Sequence, residues 1–268
     1  MATQTSGPKP TLWQIDISHY SEKARWALEY KGIAHGRRSP MPGMHMPVAF
    51  WLTRGEQVTF PVLELDGRRI GDSTAVIAAL EERFPEPPLY PADPEQRRRA
   101  LELEDFFDEE LGPHIRLLAF HELINEPDVF AEVAAAAVPA PLGNAKGLVG
   151  AYARTYTGLR FGARSDQAAE IAHEKIVAAM DRLDAELESS GGRYLVGDSF
   201  SVADLTAASL FFPLVGPQEG PIPPDSPTPV AFERFRQGLS DRPGFAWVEE
   251  TFRRHRKPTR PAAASASP

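Results

Sequence analysis

The sequence predicts an α/β domain of about 85 residues followed by an all-helical domain. Three observations predict it. Short apolar runs alternate with helical patterns up to Phe84. Asp66-Gly67 stands between two such runs as a two-residue hairpin turn, where both positions need positive φ. From Asp93 onward apolar residues recur at helical spacing instead.

The elements follow in order. TLWQID reads as a strand through Leu12, Ile15 and Ile17. Ser18 is an N-cap candidate, Ala24, Trp26 and Leu28 continue as a helix, and Gly32 is placed to stop it. A short strand is expected near His35 to Ser39, then a loop in SPMPGMHMP, then a short helix in VAFWLTR. Phe60 to Leu65 and Arg69-Ile70 form the hairpin. Asp72, Ser73 and Thr74 cap a helix carrying Val76, Ile77, Leu80 and Phe84, which Pro85, Pro87 and Pro88 end.

In the second half, Leu103, Phe106 or Phe107, Leu111, Ile115 and Leu118 form a stripe broken at Gly112-Pro113. Residues 126 to 164 give no assignable pattern. Ile176, Met180, Leu183 and Leu187 mark an amphipathic helix. Ser201 and Asp204 form a capping box, with Phe200 and Leu205 as its hydrophobic staple. A proline-rich loop at 216–229 precedes two last helices, near Phe232 to Gln237 and Trp247 to Arg254. The expected division is a disordered 1–10, a domain over 11–85, a linker over 86–93, a helical domain over 94–256 and a disordered 257–268.

Composition narrows the function. There is no cysteine, which excludes disulfides, cysteine-ligated zinc and a protein thiol nucleophile. The formal charge of −8 does not favour a nucleic-acid partner. No apolar run approaches the ~20 residues of a membrane helix, and MATQTSGPKP lacks the apolar core of a secretory signal. A cytoplasmic protein without membrane or nucleic-acid partners is the expectation. Glu170-Ile-Ala-His173 has the spacing of a di-metal helix but lacks the second helix such a site needs, so no metal is expected. The acidic run Glu104, Asp105, Asp108, Glu109, Glu110 reads as a solvated face, and RRHRKPTRPAAASASP as a disordered tail.

SHYSEKARW, at residues 18–26, holds three hydroxyls and an imidazole where a strand turns into a helix. On spacing alone Ser18 reads as a helix cap. A cap uses the serine oxygen as acceptor and keeps its O–H as donor, so capping does not exclude chemistry. Asp72 and Ser73 are equally open between an ordinary cap and a binding pair. Phe60-Pro61 is open between a trans proline that starts a strand and a cis turn.

Four stretches together resemble the glutathione S-transferase family. Ser18-His19-Tyr20-Ser21-Glu22-Lys23-Ala24-Arg25 is similar to the serine-type Ser-Pro-aromatic-x-x-Lys-Val-Arg opening of the first helix. Thr59-Phe60-Pro61-Val62-Leu63 resembles Val-Pro-x-Leu, Asp72-Ser73-Thr74 the Glu/Asp-Ser pair, and Gly197-Asp198 through Asp204 the capping-box segment. His19 departs from the usual proline and is expected at the surface of the cleft mouth, and residues 39–57 do not match the usual second helix. No tyrosine ends the first strand, so a tyrosine-type mechanism is not expected.

The resemblance implies a thioredoxin-like N-terminal domain followed by an all-α C-terminal domain. It implies glutathione, or another low-molecular-weight thiol, as co-substrate. Ser18 would donate to the thiolate at a helix N-terminus, which itself favours the charged sulfur. A cis Phe60-Pro61 would present Phe60 backbone groups to the cysteinyl residue. Asp72 and Ser73 would take the ammonium and carboxylate of the γ-glutamyl end. Tyr20 and Ser21 are weaker candidates for the thiol, and Arg54 and Gln57 for the glycine carboxylate. Phe106, Phe107 and His114 are candidates for an acceptor pocket. The expected activity is transfer of the thiol to an electrophilic small molecule, by a homodimer, in detoxification. The alternative is a non-catalytic binding or assembly protein of the same fold.

Overall fold

The Asp66-Gly67 turn forms as its residue types require, with Asp66 at φ 48° and Gly67 at φ 78°. In the computed structural model, which describes residues 9–41, 43–136, 144–223 and 225–256, it joins β3 (Val62–Leu65) to β4 (Arg68–Gly71). The disorder expected at 1–10 and 257–268 lies outside the described residues apart from Lys9 and Pro10. Pro10 is buried, and its carbonyl accepts from the Gly36 N–H at 2.7 Å.

Before the hairpin come β1 (Thr11–Trp13), α1 (His19–Tyr30), β2 (Gly36–Arg38) and α2 (His45–Leu52), and after it α3 (Ser73–Arg83). The sheet order is β2-β1-β3-β4, with β1 and β2 parallel and the other two pairings antiparallel. Gly32, at φ 65°, stops α1, whose Ala24, Trp26, Ala27 and Leu28 are buried against the core.

The strand register decides what lies near what. Trp13 pairs with Val62, and Val62 with Gly71, so the three form one row across the sheet. Gln14, Pro61 and Asp72 are the next residues of the three chains beyond that row. Because β1 and β4 both run antiparallel to β3, they point to the same end of the sheet. The helices that follow them, α1 and α3, therefore both begin at that end, with the Phe60-Pro61 segment between.

The stripe from Leu103 to Leu118 becomes α4 (Pro94–Glu110) and α5 (Gly112–Asn125), broken at Leu111 as Gly112-Pro113 predicts. Gly112 is needed for close approach: a Cβ there would stand 2.1 Å from the Tyr20 hydroxyl of α1. Residues 126–164, without a pattern in the sequence, include α6 (Pro127–Ala136) and α7 (Lys146–Phe161). Next come α8 (Asp166–Ser190), α9 (Val202–Val215), α10 (Val230–Leu239) and α11 (Pro243–His255).

The hydrophobic core is continuous from Leu12 and Leu63 in the sheet, through α1, to α9 and Phe252 of α11. Helix α9 is apolar on all sides and nearly all of it is buried. Its capping box is present: Asp204 Oδ2 accepts from the Ser201 N–H and hydroxyl, both at 2.8 Å, and Oδ1 accepts from the Leu195 N–H at 2.8 Å. Burial pushes the Asp204 carboxyl up to about 6 despite those three bonds. Among the described residues no helix is long and apolar enough to cross a membrane.

Three expectations need correction. The first residues of the stretch read as disordered, Arg253 to Arg256, are folded: α11 runs through His255, and Arg256 is only 3% exposed because it enters a buried cluster of charges on α1. The acidic run on α4 is not wholly a solvated face, since Glu104 is fully buried against Lys23. Phe107 lines no pocket; it is fully buried and meets Phe211 edge-on.

Candidate active site

Ser18 is half-buried at the start of α1, with extended backbone, and its Oγ accepts from the Ser21 N–H at 3.3 Å. The turn before it closes through Ser18 N–H to the Ile15 carbonyl at 3.0 Å. Ser21 is fully buried, and its Oγ accepts from the Ile15 N–H at 3.2 Å, so it braces the same turn from within the helix. The Ser18 hydroxyl proton is not used by the cap.

At the same end, the Phe60-Pro61 peptide is cis. Asp72 caps α3 with Oδ1, which accepts from Thr74 and Ala75 N–H at 2.9 and 3.1 Å, while the residue stays exposed. Its φ of 73° is a left-handed value that a non-glycine residue adopts at a cost. Ser73 follows at 2% exposure. Gln57 reaches this end too: a Cβ on Gly71 would stand 2.5 Å from Gln57 Cγ. Arg54 is exposed after α2 at φ 54°, and nothing in the described structure brings its side chain to the others. Tyr20 is turned away as well. Its hydroxyl donates to the Asp108 carbonyl at 2.9 Å, and burial, then the Asp108 charge, raise its pKa.

His19 is a correction. It is 4% exposed, packed against Tyr20 with ring centroids 4.4 Å apart, and not at the cleft surface. Burial, then the Arg116 charge, lower its pKa from 6.5 to about 3. The folded protein thus holds His19 neutral down to about pH 3, while the unfolded chain protonates it near 6.5. Between those values the unfolded state binds the extra proton, so stability falls with falling pH, by up to about 1.4 kcal/mol per unit. Denaturant titrations at stepped pH should show that slope, and His19→Phe should flatten it; an equal slope in both proteins would refute the assignment.

Residues that sequence reasoning passed over surround the helix. Lys23, fully buried, reaches Glu104 at 2.8 Å, Asp108 at 2.5 Å and the Thr74 hydroxyl at 2.9 Å. This ties α1 to α3 and to the helical domain. Lys23 stands inside the motif, but nothing local reveals partners more than 50 positions away.

Comparison with known proteins bears on this arrangement. The glutathione S-transferase N-terminal domain model matches residues 12–88, and the C-terminal domain model matches residues 166–237, together more than half of the chain. The protein belongs to the glutathione S-transferase family. Among its relatives, maleylacetoacetate isomerase of Rattus norvegicus is 24% identical over 211 residues, covering 75% of this chain and 76% of the relative. That of Dictyostelium discoideum is 28% identical over 200 residues, covering 74% and 75%. The crystal structure of maleylacetoacetate isomerase from Anaeromyxobacter dehalogenans 2CP-1 with bound GSH is 20% identical. It covers 91% of this chain and 89% of that one, with a TM-score of 0.55. That structural likeness speaks to the fold alone.

On this glutathione S-transferase fold, one further group faces the α1 start from the helical domain. The Arg116 guanidinium lies 5.8 Å from the Tyr20 ring and 4.8 Å from the Phe161 ring. Its Nε is buried without a hydrogen-bond partner, and no carboxylate among the described residues pairs with it. Burial lowers its pKa, and the charge of Arg160, whose guanidinium lies 5.2 Å from the same Phe161 ring, works in the same direction. The Tyr156 hydroxyl of α7 meets His45 Nε2 of α2 at 2.8 Å.

Proposed function

We propose that the protein binds glutathione, or a related low-molecular-weight thiol, at the shared end of β1, β3 and β4 and joins it as a thiolate to an electrophilic small molecule. The observation that carries the reading is the strand register. It gathers the Ser18 start of α1, the cis Phe60-Pro61 segment and the Asp72-Ser73 start of α3. Ser18 donates its free O–H to the sulfur. Phe60 offers backbone groups to the cysteinyl residue, and Asp72 and Ser73 take the γ-glutamyl ammonium and carboxylate, with Gln57 toward the glycine end. Arg54 is a weaker member of that set. The domain division at 11–85 and 94–256, joined by 86–93, belongs to the same proposal, as do a homodimer, a cytoplasmic location and a detoxifying role.

The thiolate lone pair forms the new S–C bond. The acceptor either expels a leaving group with its electron pair, or takes the pair into a conjugated double bond and later returns it, which isomerises the acceptor. The names of the relatives favour the second course. Arg116 and Arg160 favour an acceptor with an acidic group, because a half-buried guanidinium without a carboxylate is a ready partner for one.

A thermal-shift panel of low-molecular-weight thiols tests the first half, with glutathione expected to stabilise the protein. Turnover of paired electrophiles, one with a carboxylate and one with its neutral amide, tests the second. Arg116→Ala should raise KM for the carboxylate member about tenfold, the loss of roughly one charge-assisted bond, and leave the amide unchanged. No stabilisation by any thiol would sink the reading. Thiol binding without turnover of any electrophile would favour the binding or assembly protein instead.

A further inference from the structure

The last described residue of the chain is built into the first helix. Arg256 follows α11 and is 3% exposed. Its Nε donates to Glu22 Oε1 at 2.5 Å, its Nη2 to Glu22 Oε2 at 3.4 Å, and its Nη1 to Glu29. Around it the end of α11 is docked on α1: Trp26 Nε1 donates to the His255 carbonyl at 3.2 Å, and the His255 ring stacks on Phe200 with centroids 4.4 Å apart. Burial works against the Arg256 charge, but Glu22 and Glu29 more than offset it and its pKa is raised.

Glu22 is shared. While Oε1 faces Arg256, Oε2 accepts from Arg25 Nε at 2.7 Å and lies 2.5 Å from Arg25 Nη2. Nη2 is thus shared between Glu22 and the turn before Ser18, while Nη1 faces that turn alone. Nη1 donates to Gln14 Oε1 at 2.9 Å, and Nη2 to the Asp16 carbonyl at 3.1 Å. Gln14 Nε2 and the Ser39 hydroxyl both donate to Asp16 Oδ1, at 2.7 and 3.0 Å. A continuous set of hydrogen bonds thus runs from Arg256 to the turn at residues 14–16 that leads into Ser18. Asp16 and Ile17 are exposed, so packing does little to hold that turn.

We propose that Arg256 is a positioning residue for the thiol site: through Glu22 and Arg25 it holds the 14–18 turn, and with it the Ser18 hydroxyl. The part that concerns the thiol rests on the function proposed above. Without Arg256, Glu22 Oε1 loses its partner and the carboxylate can swing to take the Arg25 fork with both oxygens. That bidentate pair is the preferred geometry of an arginine and a carboxylate. It pulls the whole guanidinium toward Glu22, which stretches the Nη2 bond to the Asp16 carbonyl and the Nη1 bond to Gln14, and the turn loosens.

The test compares the full-length wild type with Arg256→Ala, Arg256→Lys and, as a control, Arg254→Ala, which removes an exposed arginine paired with Glu250. Amide hydrogen exchange of the ligand-free protein reads the turn directly. Exchange at Ile15, Ser18 and Ser21 should quicken about tenfold in Arg256→Ala, a local opening rather than a global one. It should quicken less in Arg256→Lys, which keeps the charge but not the fork, and not at all in Arg254→Ala. Amides of α8 and α9 should hold their wild-type rates. With glutathione bound, the pH midpoint of its thiolate absorbance should rise in the same order of variants.

Unchanged exchange at those three amides, or equal quickening throughout α8 and α9, overturns the proposal. If Arg256→Ala does not fold, Arg256→Lys is judged by the same amides. A wild type that takes no thiol would defeat the proposed function, while exchange would still decide the role of Arg256 in the turn.

Discussion

Lys23→Met is expected to cost about 3–5 kcal/mol of folding stability, the usual penalty for removing one partner of a buried ion pair. The cluster holds two carboxylates, Glu104 and Asp108, against one ammonium. Burial presses the Lys23 pKa down, but Asp108 and Glu104 together outweigh it and the ammonium stays charged. Burial raises the Glu104 pKa even with Lys23 beside it, and the Asp108 charge adds to the rise. Glu104 Oε2 and Asp108 Oδ1 have no hydrogen-bond partner, and apart from Lys23 the two carboxylates share a single donor, the Thr74 hydroxyl, at 3.2 and 2.7 Å.

The sign of the pH effect separates this account from simple loss of packing. Methionine fills much of the lysine stem, so little volume is lost. With Lys23 gone, the buried Glu104 must take up a proton in the folded state at a higher pH than in the unfolded chain. The folded variant then binds more protons, and its stability rises as pH falls from 7 toward the ordinary carboxylate range. Urea melts of both proteins at pH 7 and pH 5 should show the deficit shrinking at pH 5. Adding Glu104→Gln should recover part of it at pH 7. A deficit that does not depend on pH would leave volume, not charge, as the cause. Because Thr74 joins the same cluster from α3, the variant should also weaken binding at the Asp72-Ser73 end.

What could be read in the sequence is what is decided locally. The Asp66-Gly67 turn, the Gly32 stop and the Ser201–Asp204 box each depend on residues within a few positions of one another, and each forms as written. The break at Gly112-Pro113 is of the same kind. What could not be read is decided by partners far along the chain. Glu104 and Asp108 have the composition of a solvated face until α1 is packed on α4, and only then does Lys23, 85 positions from Asp108, arrive between them. Arg256 looks like part of a basic tail until Glu22, 234 positions away, is placed beneath it. His19 is polar by type, and its burial comes from the approach of α5 at Gly112. In the candidate site, the individual caps were legible, whereas their meeting at one sheet end follows from strand order, which no local signal carries.

Ser18→Ala should raise the pKa of the bound thiol by about 1–2 units, since a hydrogen bond to a charged group contributes roughly 1.5–3 kcal/mol. The effect on rate is smaller than the effect on ionisation. A thiolate of higher pKa is intrinsically more nucleophilic, with a Brønsted coefficient of about 0.4–0.5, so about half of the loss returns. Below both pKa values the variant should turn over roughly 3–10-fold more slowly. Above both it should match or exceed the wild type, and the two pH–rate profiles should cross. The cap is lost as well, at about 1 kcal/mol of stability, because Ser18 Oγ accepts from the Ser21 N–H. Ser18→Asp separates the two roles. Its carboxylate caps the helix at least as well, but it has no proton to donate and repels the thiolate. It should melt near the wild type and still lose more activity than Ser18→Ala. Parallel profiles that never cross, or a Ser18→Asp protein as active as the wild type, would reduce Ser18 to a cap.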